Sequence, residues 1–226
     1  MDLSILSDEP FQRTIWTILS IYLTVGRIFH IIKADRKIIH TESGGENAMD
    51  RYLKETEMLD YSSKNIRQLI AKRKWDRLDA FRRVQAIYNF VRDEILFGYN
   101  TDDSIPASKV LADGYGQCNT KGTLFMALLR ACRIPCRVHG FTIDKALQKG
   151  AMTGFVYKNA PQNVFHSWVE VYLDDRWYEL EAYILDKAYL TRLQQQNSGC
   201  TGAFCGYGVA VQDLQHPVID FNRNNT

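Results

Sequence analysis

Apolar positions between residues 78 and 95 repeat with a helical period. They recur at steps of three and four residues, so they lie on one face of an amphipathic helix. Gly98 follows the pattern and is predicted to close this helix. The apolar positions on the face are Leu78, Phe81, Val84, Tyr88, Val91 and Ile95.

A second helical pattern begins directly after a glycine-containing turn. Residues Asp113–Cys118 read D-G-Y-G-Q-C, and helical spacing continues from Cys118 as far as Cys132. Pro135 ends this predicted helix, and Arg137–Ile143 has the character of a strand. The core face of the helix consists of Leu124, Phe125, Leu128 and Leu129.

A β-hairpin is predicted in the second half of the chain. The segment Phe165–Leu173 alternates in polarity and is rich in aromatic and β-branched residues. Asp174-Asp175 forms the turn, and Trp177–Ala182 is the returning strand. The polar, glycine-containing segment Asp144–Gln162 before the hairpin is predicted to be a long loop near an active site.

Shorter patterns follow the hairpin. Leu185–Gln196 is compatible with a helix, and the glycine-rich segment Ser198–Gly208 is predicted to be a loop. Val209–Val211 is predicted to be a last short strand, and the polar residues Asn222–Thr226 are predicted to be unstructured.

The most apolar segment of the chain is Ile15–Ile32. It approaches the length of about 20 residues that spans a bilayer, but Arg27 and His30 interrupt it. The first interpretation is a long helix packed on the domain. The alternative is a membrane anchor, and the basic residues just after it would then place the rest of the chain in the cytosol.

Net charge and cysteine content bear on the partners, the location and the cofactors of this protein. A net charge of +2 over 226 residues does not favour nucleic-acid binding. Five cysteines leave at least one thiol unpaired, which favours a reducing, cytoplasmic location. Cys200, Cys205 and His216 match no common zinc spacing, so neither a metal nor another cofactor is expected.

Cys118 is the candidate nucleophile because it lies at the start of the central helix. Free N–H groups and the positive end of the helix dipole favour a thiolate at this position. The other interpretation is that Cys118, like Cys132 and Cys136, is a small apolar residue of the core.

The hairpin carries a candidate base and a candidate acid. If its loop has an even number of residues, His166 and Glu181 lie on one face, opposite or diagonal to each other. Trp168 shares this face and is predicted to shield the site from water. Each of these residues alone is more often structural, so the combination carries the hypothesis.

The predicted chemistry is nucleophilic attack by Cys118 on an acyl carbon. His166 takes and returns the proton, and Glu181 holds the imidazole in the required tautomer. The backbone N–H of Cys118 is one candidate oxyanion donor, and Tyr99 or Gln117 is a candidate for the second.

Three ordered motifs resemble the transglutaminase-like superfamily of papain-type cysteine enzymes. Y-G-Q-C at Tyr115–Cys118, with the helix after it, is similar to the family's cysteine helix. H-S-W-V-E-V-Y at His166–Tyr172 is similar to its histidine strand, and W-Y-E-L-E at Trp177–Glu181 to the strand that ends on the triad acid. Two departures are a glutamate where aspartate is usual and Asn119 where animal transglutaminases carry tryptophan.

The resemblance implies an α+β fold in which the cysteine-bearing helix packs on an antiparallel sheet. It implies Cys118 as nucleophile, His166 as base and Glu181 as orienting acid. The expected function is acyl transfer or hydrolysis at amide bonds of a protein or peptide, with an amine as a candidate acceptor. The regions are a helical N-terminal extension over 1–75, a catalytic domain over 76–215, and a polar tail or truncated end over 216–226.

Several alternatives remain open within this resemblance. The same triad serves in cysteine peptidases, in deamidases and in acyl-CoA-dependent arylamine N-acyltransferases. A catalytically silent binding module on the same fold is the alternative from another class, and the longer acid at Glu181 favours it.

Overall fold

A computed structural model describes residues 48–152 and 154–226 of the chain. The apolar segment Ile15–Ile32 lies outside these residues, so its predicted helix and membrane association stay predictions. Within the two described ranges, no helix has both the length and the hydropathy needed to cross a bilayer.

Three helices come before the candidate nucleophile. They are α1 (Lys64–Arg73), α2 (Ala80–Asp93) and α3 (Ala107–Asp113). The predicted amphipathic helix is α2, which begins where the Asp79 side chain accepts a hydrogen bond from the Arg82 N–H at 2.9 Å. It ends before the predicted Gly98, because residues 96–97 form the short parallel strand β1 (Leu96–Phe97) with β2 (Tyr115–Gly116).

The central helix α4 (Cys118–Ala131) confirms the prediction for this segment. Every residue from Thr120 to Arg130 is buried, which is typical of a helix surrounded by its own domain. Helices α2 and α3 pack on it, and the sheet covers another side.

A buried lysine anchors the first turn of α4. The Lys121 ammonium donates to the carbonyl oxygens of Ile95 at 2.7 Å, Ile184 at 2.9 Å and Arg92 at 3.2 Å. Burial lowers the pKa of Lys121 to about 7, against the opposing effect of nearby Asp186. These bonds connect the start of α4 to the end of α2 and to the segment that follows the hairpin.

The main sheet is antiparallel, with strand order β3-β4-β5. Its strands are β3 (Cys136–Asp144), β4 (Asn163–Leu173) and β5 (Arg176–Leu180). The predicted two-residue turn is confirmed, with φ of 51° at Asp174 and 60° at Asp175. Positive φ at both positions is typical of a type I′ turn, whose twist suits a hairpin. The returning strand ends at Leu180, so Glu181 follows it rather than lying within it.

Two predicted loops contain regular structure. The segment predicted as a loop over 144–162 holds a 3₁₀ turn (Lys145–Gln148) and α5 (Gly154–Asn159). The predicted loop over 198–208 holds β6 (Phe204–Gly206), which pairs with the predicted strand β7 (Val209–Val211). The helix after the hairpin, α6 (Lys187–Gln196), is confirmed within the predicted segment.

Residues from all three predicted regions contribute to one hydrophobic core. Ile66 and Trp75 from the predicted extension are buried in the same core as the central helix. Phe221 from the predicted tail is also in that core, where its ring contacts those of Phe81, Tyr88 and Tyr178. Residues 48–75 and 216–226 therefore pack with residues 76–215 around one core.

Candidate active site

Cys118 occupies the first position of α4 and is half-buried. The preceding residue, Gln117, is the N-cap, and its backbone N–H donates to Thr120 Oγ1 at 3.1 Å. A Cβ added at Gly116 would lie 2.6 Å from this same oxygen, which explains the glycine two residues before the cysteine. The turn thus fixes the direction in which the chain enters the helix.

The Asp103 carboxyl group is hydrogen-bonded to the two residues that flank Cys118 in the sequence. It accepts hydrogen bonds from the side-chain amide of Gln117 and, at 2.9 Å, from that of Asn119. Burial raises the pKa of Asp103, and these two bonds act against the rise. Asp103 therefore helps to position the first turn of α4 and the thiol between the two amides.

Asn119 connects the thiol to the sheet. Its Oδ1 accepts a hydrogen bond from Ser167 Oγ at 2.9 Å, and the Cys118 Sγ lies 3.7 Å from the same oxygen. Sequence reasoning missed Asp103 and Ser167, and it treated Asn119 only as a departure from the family pattern. Ser167 directly follows the candidate base, and this adjacency was the one signal available for it.

His166 and Glu181 lie together, with 2.6 Å between Nε2 and Oε1. The register pairs Val169 with Leu180, so one further step places Glu181 opposite Trp168 and diagonal to His166. This is the diagonal arrangement that an even turn predicts. The His166 side chain is 8% exposed and the Glu181 side chain 44% exposed.

With Nε2 hydrogen-bonded to Glu181, Nδ1 is the nitrogen of the imidazole that can exchange a proton with the Cys118 thiol. Nδ1 of His166 is buried and makes no hydrogen bond of ordinary length to a described residue, although the Cys118 thiol is close enough to affect the pKa of the ring. Burial disfavours the imidazolium, but the neighbouring Cys118 and Glu181 outweigh burial and raise the pKa of His166 to about 10. The ring is also held by an edge contact with Phe141, at 5.2 Å between centroids.

A cavity of about 580 Å³ joins these groups. Cys118, His166 and Glu181 line it, together with Tyr99 and Gln117, the two candidates for a second oxyanion donor. The Tyr99 hydroxyl donates to Gln148 Oε1 at 3.3 Å, and burial raises the pKa of Tyr99.

Two of the predicted side chains have different surroundings from those expected. The Gln117 side chain accepts a hydrogen bond from the Asn100 N–H at 3.0 Å and donates to Asp103, so both its polar atoms are engaged. Trp168 does not line the cavity. It stacks on His139 at 4.5 Å and contacts Phe141 at 4.5 Å, so it supports the ring beside His166 rather than covering the cavity.

The remaining cysteines have other environments. Cys132 and Cys136 are buried, as predicted, and burial raises the pKa of Cys132 to about 11. Cys200 is half-buried and Cys205 exposed, and neither lines the cavity. Among residues 48–152 and 154–226, no group of three or more His, Cys, Asp or Glu side chains is arranged to hold a metal ion.

Comparison with known proteins gives one family and a few solved structures. The sequence profile of the transglutaminase-like superfamily matches residues 47–182. No curated protein matches the chain. A structure of a candidate cysteine protease from Cytophaga hutchinsonii is 19% identical, with a TM-score of 0.46, and covers 60% of this chain. A candidate protease from Parabacteroides distasonis is 18% identical, with a TM-score of 0.37, and covers 63% of this chain. The chain spans 42% and 26% of their lengths.

Proposed function

The chain belongs to the transglutaminase-like superfamily, and from this membership and the site geometry we propose a cysteine-dependent enzyme that acts on amide bonds. The proposed reaction is acyl transfer or hydrolysis through a thioester on Cys118. The observation that carries the proposal is the buried His166 imidazole, which is hydrogen-bonded to Glu181 and shares a cavity with Cys118 while its Nδ1 makes no hydrogen bond of ordinary length to a described residue.

In the proposed first step the Cys118 sulfur attacks the carbonyl carbon of an amide. The proton that left the thiol is held by His166, where Glu181 favours the imidazolium. A carbon–sulfur bond forms, and the negative oxygen that results accepts a hydrogen bond from the Cys118 N–H, which has no partner within the helix. The carbon–nitrogen bond then breaks as His166 gives its proton to the departing amine.

In the proposed second step water or an amine attacks the thioester. His166 takes a proton from the attacking group, the carbon–sulfur bond breaks, and the thiol is restored. Water gives hydrolysis, and an amine gives acyl transfer. We propose a protein or peptide as the acyl donor and a reducing compartment such as the cytosol, because the thiol must stay reduced and the cysteine count is odd.

Trapping the thioester tests this function directly. The protein is incubated with a mixture of peptide amides, quenched in acid, and its intact mass measured, with peptide mapping to locate the adduct. We expect an acyl adduct on Cys118 that disappears when hydroxylamine is added, since hydroxylamine cleaves thioesters. His166→Ala should slow adduct formation. The absence of any adduct, with equally slow iodoacetamide labelling of all five cysteines, would instead support a catalytically silent module.

The raised pKa of His166 predicts the shape of the pH profile. Because the imidazolium must protonate the leaving amine, kcat/KM for an amide substrate should decline only as pH rises towards about 10, well above the ordinary histidine range. Glu181→Gln removes one of the groups that raise this pKa, so the decline should move to lower pH. The measurement is kcat/KM across pH 5 to pH 10.5 for both proteins. A wild-type decline centred near pH 6.5 would contradict the prediction.

A further inference from the structure

The cavity has a polar end and an apolar end. The polar end is the site itself, with Cys118, His166 and Glu181. Most of the remaining wall comes from residues 142–165, the segment after the hairpin, β7 and residues 217–219, and most of its side chains are aliphatic or aromatic. Representative residues of this apolar end are Val164, Phe165, Leu185, Leu190, Val209 and Pro217.

The one cationic group on the described cavity wall is the His166 imidazolium, which is already paired with Glu181. In the part of the chain that the structure describes, no lysine or arginine lines the cavity, whereas Asp103 and Glu181 both do. An anionic group on the apolar part of the wall would therefore lose its hydration without gaining a lysine or arginine partner. An uncharged apolar group has no such desolvation cost, and its contact with the apolar wall removes apolar surface from water, which is favourable.

The size of the cavity exceeds what a small acyl group needs. Its volume of about 580 Å³ lies within the range of about 300–1,000 Å³ that is usual for ligand sites. A methyl group on the reacting carbonyl would leave the apolar wall hydrated. A phenyl or branched aliphatic side chain would cover part of that wall and hold the carbonyl beside the sulfur.

We propose that the acyl donor carries a bulky, uncharged, apolar side chain on the acyl side of the amide, and that this side chain occupies the apolar end of the cavity. The inference rests on the proposed function and specifies its substrate class. We expect donors with a carboxylate at this position to be disfavoured, because no lysine or arginine lines the described wall.

Chloromethyl ketones test this directly, because they place the variable group on the carbonyl as an acyl donor does. Sulfur displaces chloride, so a carbon–sulfur bond forms and chloride leaves. The probes are those derived from acetic acid, hydrocinnamic acid and succinic acid, and their reaction with N-acetylcysteine corrects for intrinsic reactivity. We expect Cys118 to react about 10-fold or more faster with the phenyl-bearing probe than with the methyl probe, and more slowly with the carboxylate probe than with either.

A charge introduced on the wall provides the second part of the test. Val218 lines the cavity and is 67% exposed, so Val218→Lys should fold normally, which a melting curve checks. This variant should react faster with the carboxylate probe and lose part of its preference for the phenyl probe. The matched control is Phe155→Lys, because Phe155 is 81% exposed and lies outside the cavity. Its probe preferences should equal those of the wild type.

The possible results distinguish a failure of the proposed substrate class from a failure of the proposed enzymatic function. Corrected rates that are equal for the three probes, with Cys118 still the fastest thiol and still dependent on His166, would overturn the substrate class and leave the enzyme proposal in place. Labelling of Cys118 at the rate of the other cysteines would overturn the enzyme proposal itself. A preference of the wild type for the carboxylate probe would also overturn the substrate class.

Discussion

Replacing Cys118 with alanine is expected to abolish turnover, with kcat lowered by roughly a million-fold, because no other described cysteine lines the cavity. The thioester adduct should disappear with it. Since the side chain is half-buried at a helix start, the melting temperature should stay within about 4 °C of the wild type. Steady-state assays, intact mass and a melting curve measure the three quantities.

The matched control for this variant is Cys200→Ala. Cys200 is also half-buried: its sulfur lies 3.7 Å from the Gly202 carbonyl oxygen and 3.8 Å from that of Ala203, and it packs against a small apolar cluster outside the main core. Its removal should leave kcat unchanged. If Cys118→Ala keeps measurable turnover above that of a heat-denatured sample, the thioester mechanism is wrong.

Replacing Glu181 with glutamine is expected to lower kcat by about 10,000-fold. An amide at 2.6 Å from His166 Nε2 can stabilise the wrong tautomer and does not stabilise the imidazolium. Glu181→Asp should give a smaller loss, because the shorter side chain withdraws the carboxylate by about 1.5 Å, one carbon–carbon bond length. Steady-state kinetics of both variants measure the effect.

Glu179→Gln is the control for the acid. Glu179 lies two residues earlier and is exposed to solvent. Its carboxylate accepts a hydrogen bond from Asn225 Nδ2 at 3.3 Å, and Glu179 does not line the cavity. It should keep the wild-type kcat. A near-wild-type kcat for Glu181→Gln would make Glu181 a bystander and would restore the catalytically silent module as an interpretation of the fold.

The cysteine helix and the hairpin could be predicted because their signals are local. Helical spacing over residues 118–132 requires no knowledge of the rest of the chain, and alternation over 165–173 does not either. The relation between His166 and Glu181 was also predictable, since an even turn is enough to place them on one face. The sequence could not show that Glu181 lies just past the strand, from where its longer side chain reaches Nε2.

The residues that were missed act across long sequence separations. Asp103 lies in a polar turn and acquires a role only because the fold brings Gln117 and Asn119 to it. Lys121 would ordinarily be predicted at a helix surface, but its partners are backbone carbonyl groups of two distant segments. Phe221 directly precedes the polar residues Asn222–Thr226, and no periodic pattern identifies it as core.

The two-residue turn at Asp174-Asp175 has a consequence for judging relatives of this chain. It lies away from the cavity, yet it sets the pairing register of the hairpin, and a register shift of one residue would move the acid to the other face of the sheet. A relative whose hairpin pairs in a register shifted by one residue would keep the cysteine, the histidine and the acid and still separate the last two. The proposed activity would then be lost without substitution of any residue of the site. The pairing register of this hairpin is therefore as informative for classifying a relative as the identity of its acid.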